Sequence, residues 1–217
     1  MITSPPAIVL ASASPRRKEL LERVGVVCAV VPSQINEEHL PGESPREHVL
    51  RLAHEKALEI AGRSDVPGRW FIGSDTVVVR DAAILGKPVD AADAAAMLTS
   101  LSGRSHEVLT GFAVHDREKN VTISEVVSTA VRFKELTAAE VSGYIASGEP
   151  FDKAGAYAIQ GVGAFMVQAI NGSYTNVVGL PLCEVVDVLE HLGAVKLFTA
   201  SRTGQRSFTQ RRDDATV

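Results

Sequence analysis

Ala11-Ser12-Ala13-Ser14-Pro15-Arg16-Arg17-Lys18 sets hydroxyls and cations together just after a short apolar run, Ala7-Ile8-Val9-Leu10. A serine N-cap followed by proline at the first helical position starts a helix, with Ser14 as the cap. A helix N-terminus offers free N–H groups and a partial positive charge, so it binds phosphate well. The serine hydroxyls can add donors, and Arg16 and Arg17 can each grip phosphate oxygens with paired hydrogen bonds. Adjacent on a helix, the two arginines point about 100° apart and serve different parts of a ligand. Cations in a first turn oppose the helix dipole, a cost that a bound anion removes. A solvated basic turn is the alternative.

Gly73-Ser74-Asp75-Thr76 lies in an otherwise apolar run. An aspartate there is costly unless paired or metal-bound. Strand ends in α/β sheets are where ligands bind, although such an aspartate can also cap a turn or pair with a structural arginine. Leu85-Gly86-Lys87-Pro88 can present an ammonium group to phosphate, or can be a surface turn. The glycine-spaced phosphate loop ending in Gly-Lys-Ser/Thr does not occur. Between Glu149 and Gly161, small residues permit close backbone approach. Gln160 carries both a donor and an acceptor, as reading a base edge requires. The six histidines show no metal-ligand spacing and read as structural or surface groups, with His106 as a catalytic base the other reading.

A net charge of −4 argues against a broad basic surface for duplex nucleic acid. It leaves room for a local basic cluster that holds a small anion. The length of 217 residues suits one large domain or two lobes around a cleft. With aromatics at 5%, the core must come mainly from Val, Leu, Ile and Ala. Cys28 and Cys183 sit in apolar runs and read as buried free thiols. The start, Met-Ile-Thr-Ser-Pro-Pro, has neither a basic nor a long apolar leader. No uncharged apolar stretch approaches the roughly 18 residues of a membrane span, so the cytoplasm is expected.

The elements that must position these residues follow from periodicity and punctuation. Strands are expected over 7–10, 26–31, 70–79, 106–115, 121–133 and 164–170. Helices are expected from Ser14 to Gly25 and over 44–61, 91–100, 137–147 and 181–192. Ser44 with Glu47, and Thr137 with Glu140, have capping-box spacing. Crossover and hairpin connections mix, which makes an α/β fold with a mixed sheet. Residues 1–198 read as one domain, and 199–217, which lack apolar periodicity, as a disordered tail.

Taken in order, Leu10–Arg17, Ala53–Ala57, Gly73–Thr76, Gly86–Pro88, Ser102–Gly111, Asp152–Gly161 and Asn176–Leu182 resemble the Maf family of nucleotide pyrophosphatases. The family fold is similar to that of inosine triphosphate pyrophosphatases: an elongated mixed β-sheet in two lobes, with flanking helices and a central cleft. The resemblance implies hydrolysis of a nucleoside triphosphate to the monophosphate and pyrophosphate. It also implies a divalent metal cation (Mg2+ or Mn2+) and a homodimer. Asp75 matches the family's proton acceptor, and Ser12, Arg16, Arg17, Glu37, Lys56, Lys87 and Gln160 match its cleft residues. Arg16, Thr76 and Gln160 resemble the subgroup acting on dTTP, UTP and modified pyrimidine nucleotides. Asn36-Glu37 departs from the aspartate–glutamate pair common in the family.

On this reading Arg16, Arg17, Lys56 and Lys87 neutralise a triphosphate. A metal is held by Asp75 with Glu37, and Asp75 orients or deprotonates the attacking water. Positioning and charge neutralisation do most of the catalysis. A non-catalytic, nucleotide-sensing regulator of cell division would use the same cleft. A nucleic-acid binder built on the arginine-rich start and tail conflicts with the net charge.

Overall fold

Ile8–Leu10 (β1) is fully apolar and buried, and it pairs in parallel on both edges. Its neighbours are Ala29–Val30 (β2) and the beginning of Trp70–Arg80 (β3). All other pairs are antiparallel. Ala83–Leu85 (β4) folds back on β3, and Ser105–Asp116 (β5) runs along the whole of it. Val121–Phe133 (β6) pairs with β5, and Val167–Asn171 (β7) with β6. The result is a seven-stranded mixed sheet in the order β2-β1-β3-β5-β6-β7, with β4 attached to β3. This computed structural model describes residues 7–198; the expected tail, 199–217, and the first six residues lie outside them.

Helices flank the sheet: α1 (Pro15–Arg23), α2 (Pro45–Ala61), α3 (Ala91–Leu101), α4 (Ala138–Ala146), α5 (Tyr174–Val178) and α6 (Leu182–His191). The two largest apolar cores among the described residues are strung along it. Ile72 and Phe112 join Leu10, Leu21, Leu180 and Leu189 in one. Val78 and Val108 join Leu98, Phe133, Tyr144 and Met166 in the other. Each such side chain, fully buried, contributes roughly 1.5–3 kcal/mol. Because β3 and β5 supply both cores, the sheet itself joins the two lobes.

One edge of β3 is paired with β5 from Trp70 to Val79. Its other edge meets β1 only over Trp70–Ile72 and β4 only over Val78–Arg80. Between them, Gly73–Val77 has no strand partner on that edge among the described residues. This gap opens the cleft. The loop leaving the carboxyl end of β1 enters α1 beside it, the place where α/β sheets bind ligands.

Helix α2 lies unusually close to the sheet. A Cβ on Gly73 would sit 2.0 Å from the Ala53 carbonyl oxygen, and one on Gly111 2.2 Å from that of Val49. Ala53, Ala57 and Ala113 fill the same contact. Small residues on both surfaces therefore set the depth of α2, and with it the reach of Lys56.

Both expected capping boxes form, at Ser44/Glu47 and Thr137/Glu140. Several local expectations are corrected. Ser14 stands at the N-cap of α1 but makes no side-chain cap bond. Its N–H instead donates to Ser12 Oγ at 3.2 Å. The strand expected over 26–31 shrinks to Ala29–Val30, because the short β1 offers only Val9 and Leu10 as partners. The strand expected over 164–170 starts at Val167, where β6 pairing begins at Phe133; Val162–Met166 is a 3-10 helix. β4 was not expected, and it follows a two-residue turn in which Asp81 and Ala82 both have positive φ. Both cysteines are free, but Cys28 is only half-buried and Cys183 is exposed. α6 turns Val185, Val188 and Leu189 inward and Cys183 outward.

Candidate active site

A cleft of about 990 Å³ opens at the gap in β3. Ser12, Arg16, Arg17, Glu37, Lys56, Asp75, Thr76, Lys87 and Gln160 all line it. Successive side chains of a strand point to opposite faces. Asp75 accordingly faces α2, while Thr76 faces α1 and the turn after α5. The unpaired edge of β3 gives the cleft access to both.

Asp75 is buried, and its countercharge comes from Lys56 on α2, also buried. Lys56 Nζ lies 2.8 Å from Asp75 Oδ1 and 2.7 Å from Glu37 Oε1. One ammonium thus gathers two carboxylates from separate parts of the chain. Burial alone would push the Glu37 carboxyl up. Its bond to Lys56, with Lys87 and Arg17 further off, holds it below the ordinary carboxylate range. Asp75 Oδ2 has no hydrogen-bond partner among the described residues.

Arg17 braces the opposite wall. Its Nε donates to the Gly179 carbonyl at 2.7 Å, Nη1 to Ser12 Oγ at 2.9 Å and Nη2 to Thr76 Oγ1 at 3.1 Å. Thr76 Oγ1 is also 3.0 Å from Thr110 Oγ1. Burial pulls the Arg17 guanidinium below its ordinary value, while Asp75 pushes it back up. An arginine so placed remains cationic at neutral pH. Arg16, on the next face of α1, stands 3.6 Å from Asp152 in a partly exposed pair. Lys87 is exposed on the loop after β4. With no side-chain cap on α1, its first N–H groups remain free to meet an anion.

The loop carrying Glu37 is anchored by a group that sequence reasoning missed. Arg51 Nε donates to Glu43 Oε1 at 2.6 Å, and Arg51 Nη2 to the Glu38 carbonyl at 3.0 Å. His48 Nδ1 is 3.0 Å from Glu43 Oε2. Bonding to Arg51 holds the Glu43 carboxyl far below its ordinary range. The only sequence signal was an acid just ahead of a helix cap with an arginine two turns into the helix. His106, weighed above as a base, is buried between Phe133 and Tyr157 and is not among the residues lining the cleft. Its Nε2 lies 2.7 Å from Tyr157 Oη.

A buried carboxylate, an uncapped helix start and exposed cations, gathered where a parallel strand ends, define an α/β protein built to handle phosphate groups. The chain belongs to the Maf-like protein family, whose model matches residues 7–192. A protein of Syntrophotalea carbinolica named dTTP/UTP pyrophosphatase is 64% identical over 195 residues, covering 90% of this chain and 89% of its own. One of the same name from Citrifermentans bemidjiense is 60% identical over 189 residues, covering 87% and 97%. Among the described residues, no helix is long and apolar enough to cross a membrane.

Proposed function

We propose that this protein hydrolyses dTTP or UTP, and modified pyrimidine relatives, to the monophosphate and pyrophosphate. The observation that carries the reading is Asp75, buried beside Lys56 and Glu37 at the unpaired stretch of β3, in the same cleft that Arg16, Lys87 and the start of α1 line. The names of the similar proteins support the pyrimidine substrate. The family match over residues 7–192 supports one catalytic domain across 1–198.

Arg16, Lys87 and the start of α1 neutralise the triphosphate. A water oxygen attacks the α-phosphorus, the bond to the α,β-bridging oxygen breaks, and pyrophosphate leaves. Asp75 orients this water and takes its proton. Lys56 holds the Asp75 carboxylate in place at 2.8 Å, and its remaining N–H is available to a phosphate oxygen. Thr76 acts through Arg17, which holds the wall behind the substrate. Gln160 reads the base, with Arg16 as a second determinant of which base is accepted.

The donor set also fits a divalent cation. Asp75 and Glu37 share one neighbour and supply carboxylate oxygens. No group of three His, Cys, Asp or Glu side chains makes a protein-only cage among the described residues. Mg2+ commonly takes one or two carboxylates and completes its shell with substrate phosphates and water. When bound to Asp75 and Glu37, Mg2+ or Mn2+ supplies charge for the phosphate oxygens and acidifies water. The same reading makes the protein a cytoplasmic homodimer that acts on the free nucleotide pool and binds no nucleic acid. The family resemblance supports the dimer, and the net charge of −4 supports the absence of nucleic acid.

The test is Asp75→Asn with UTP, dTTP and Mg2+ or Mn2+, following monophosphate and pyrophosphate. Loss of a positioned base lowers the rate roughly 10²- to 10⁴-fold, with nucleotide binding and fold kept. Near-normal pyrophosphate release by the variant would sink the assignment. Binding by the native protein without any pyrophosphate would instead identify a sensor.

A further inference from the structure

Gln160 sits in an irregular loop between 3-10 helices at Ala154–Ala156 and Val162–Met166. Such a loop has no ladder to fix it, so side chains from elsewhere must hold its position. Tyr144 on α4 and Glu149, at the start of the 3-10 helix Glu149–Asp152, hold it on both sides of Gln160. The Ala158 N–H, two residues before Gln160, donates to Tyr144 Oη at 3.3 Å. The Val162 N–H, two residues after, donates to Glu149 Oε2 at 3.0 Å, and the Gly163 N–H to Oε1 at 3.1 Å. Tyr144 Oη itself donates to Glu149 Oε1 at 2.9 Å, which makes the two side chains one unit.

The fit is tight. A Cβ on Gly163 would lie 2.7 Å from the Tyr144 hydroxyl. The Tyr144 ring is buried in the core beneath α4, so its hydroxyl is rigidly placed. Burial alone would push the Glu149 carboxyl up, but the two backbone N–H groups and the Tyr144 hydroxyl hold it below the ordinary range. Glu149 is thus an ionised acceptor at neutral pH, and charge-assisted bonds of this kind are the strong ones.

We propose that the Tyr144–Glu149 pair is a positioning device for base selection, fixing where Gln160 presents its amide in the cleft. This rests on the reading of Gln160 as the base-contacting residue. Neither side chain is among those lining the cleft. The pair therefore changes which nucleotide is accepted and leaves bond cleavage to Asp75 and its neighbours. Recognition through hydrogen bonds is steep in position, because a misplaced partner leaves a buried polar group unpaired.

The experiment compares UTP, CTP and ATP as substrates for the full chain and for Glu149→Gln, Tyr144→Phe, Gln160→Ala and the Glu149→Gln/Gln160→Ala double variant. Glu149→Gln is expected to raise KM for UTP roughly tenfold with kcat near native, and to erode UTP preference by a similar factor. Tyr144→Phe, which loses only the hydroxyl, should move both quantities the same way by less. In the Gln160→Ala background, Glu149→Gln should remove no further selectivity, since both act through one contact. Unchanged selectivity in folded Glu149→Gln and Tyr144→Phe, with Gln160→Ala losing it, overturns the positioning role alone. Full selectivity in Gln160→Ala overturns the reading of Gln160 and the proposal with it. An equal loss of kcat for all three nucleotides marks the pair as merely structural. If Glu149→Gln does not fold, Tyr144→Phe decides.

Discussion

His106 should make this protein measurably acid-sensitive above the range where carboxylates titrate. Burial lowers its pKa from 6.5 to about 4, because a charged imidazolium in that apolar cage is penalised. Its Nδ1 has no partner among the described residues, so a proton added there would be buried and unpaired. The unfolded chain takes up the proton near pH 6.5 and the folded chain only near pH 4. Below 6.5 the unfolded state therefore binds more protons, and stability falls with falling pH. At 1.36 kcal/mol per pKa unit, the full loss is about 3 kcal/mol, of which about 2 kcal/mol is gone by pH 5. For a domain of this size that is roughly 4–8 °C in Tm at pH 5. The assay is thermal or urea unfolding between pH 7.5 and 5 for the native protein and His106→Gln. His115, also lowered by burial, has the same sign and is common to both. The difference between the two profiles isolates His106. Parallel profiles across that window would refute the reasoning.

Arg17→Lys keeps the charge but loses the three-way fork, and should destabilise the nucleotide-free protein by roughly 2–4 kcal/mol, read by unfolding. Unchanged stability with weakened nucleotide binding would make Arg17 a ligand group and not a brace. Gly73→Ala forces a methyl against the backbone of α2. It should cost roughly 1–3 kcal/mol and lower turnover as well, because Lys56 rides on that helix. Chelation with EDTA should abolish pyrophosphate release while leaving the unfolding midpoint in place, since no protein-only cage depends on the metal; midpoint and activity lost together would contradict this.

What the sequence made legible was local. Ser44/Glu47 and Thr137/Glu140 announced α2 and α4, and two strand-like segments close together in sequence announced the long β5–β6 pair, because such signals act between near neighbours. The segments quoted for the family resemblance do meet around one cleft. Less visible were contacts joining distant parts of the chain. Lys56 to Asp75 spans 19 residues and Arg17 to Gly179 spans 162, separations that leave no spacing signal. Glu43–Arg51 and Tyr144–Glu149, only 8 and 5 residues apart, were missed for a different reason: each anchors a loop whose path the sequence does not encode locally. β4 escaped because its turn uses Asp81-Ala82 where Asn-Gly would have given a recognisable signature. Asp75, expected to need a partner or a metal, has Lys56 as its partner at 2.8 Å, a pairing the sequence did not indicate.

The gap in the edge of β3 has a mechanical consequence. Both walls of the cleft hang from strands that pass unbroken behind it, with β5 of 12 residues and β6 of 13 backing the 11 of β3. Parting those walls means bending three hydrogen-bonded strands at once, because no hinge segment interrupts them. The cleft is a notch cut in a stiff plank, not a jaw. A change in its width would have to come from the loops that line it, such as those carrying Glu37 and Gln160, and not from a hinge in these strands.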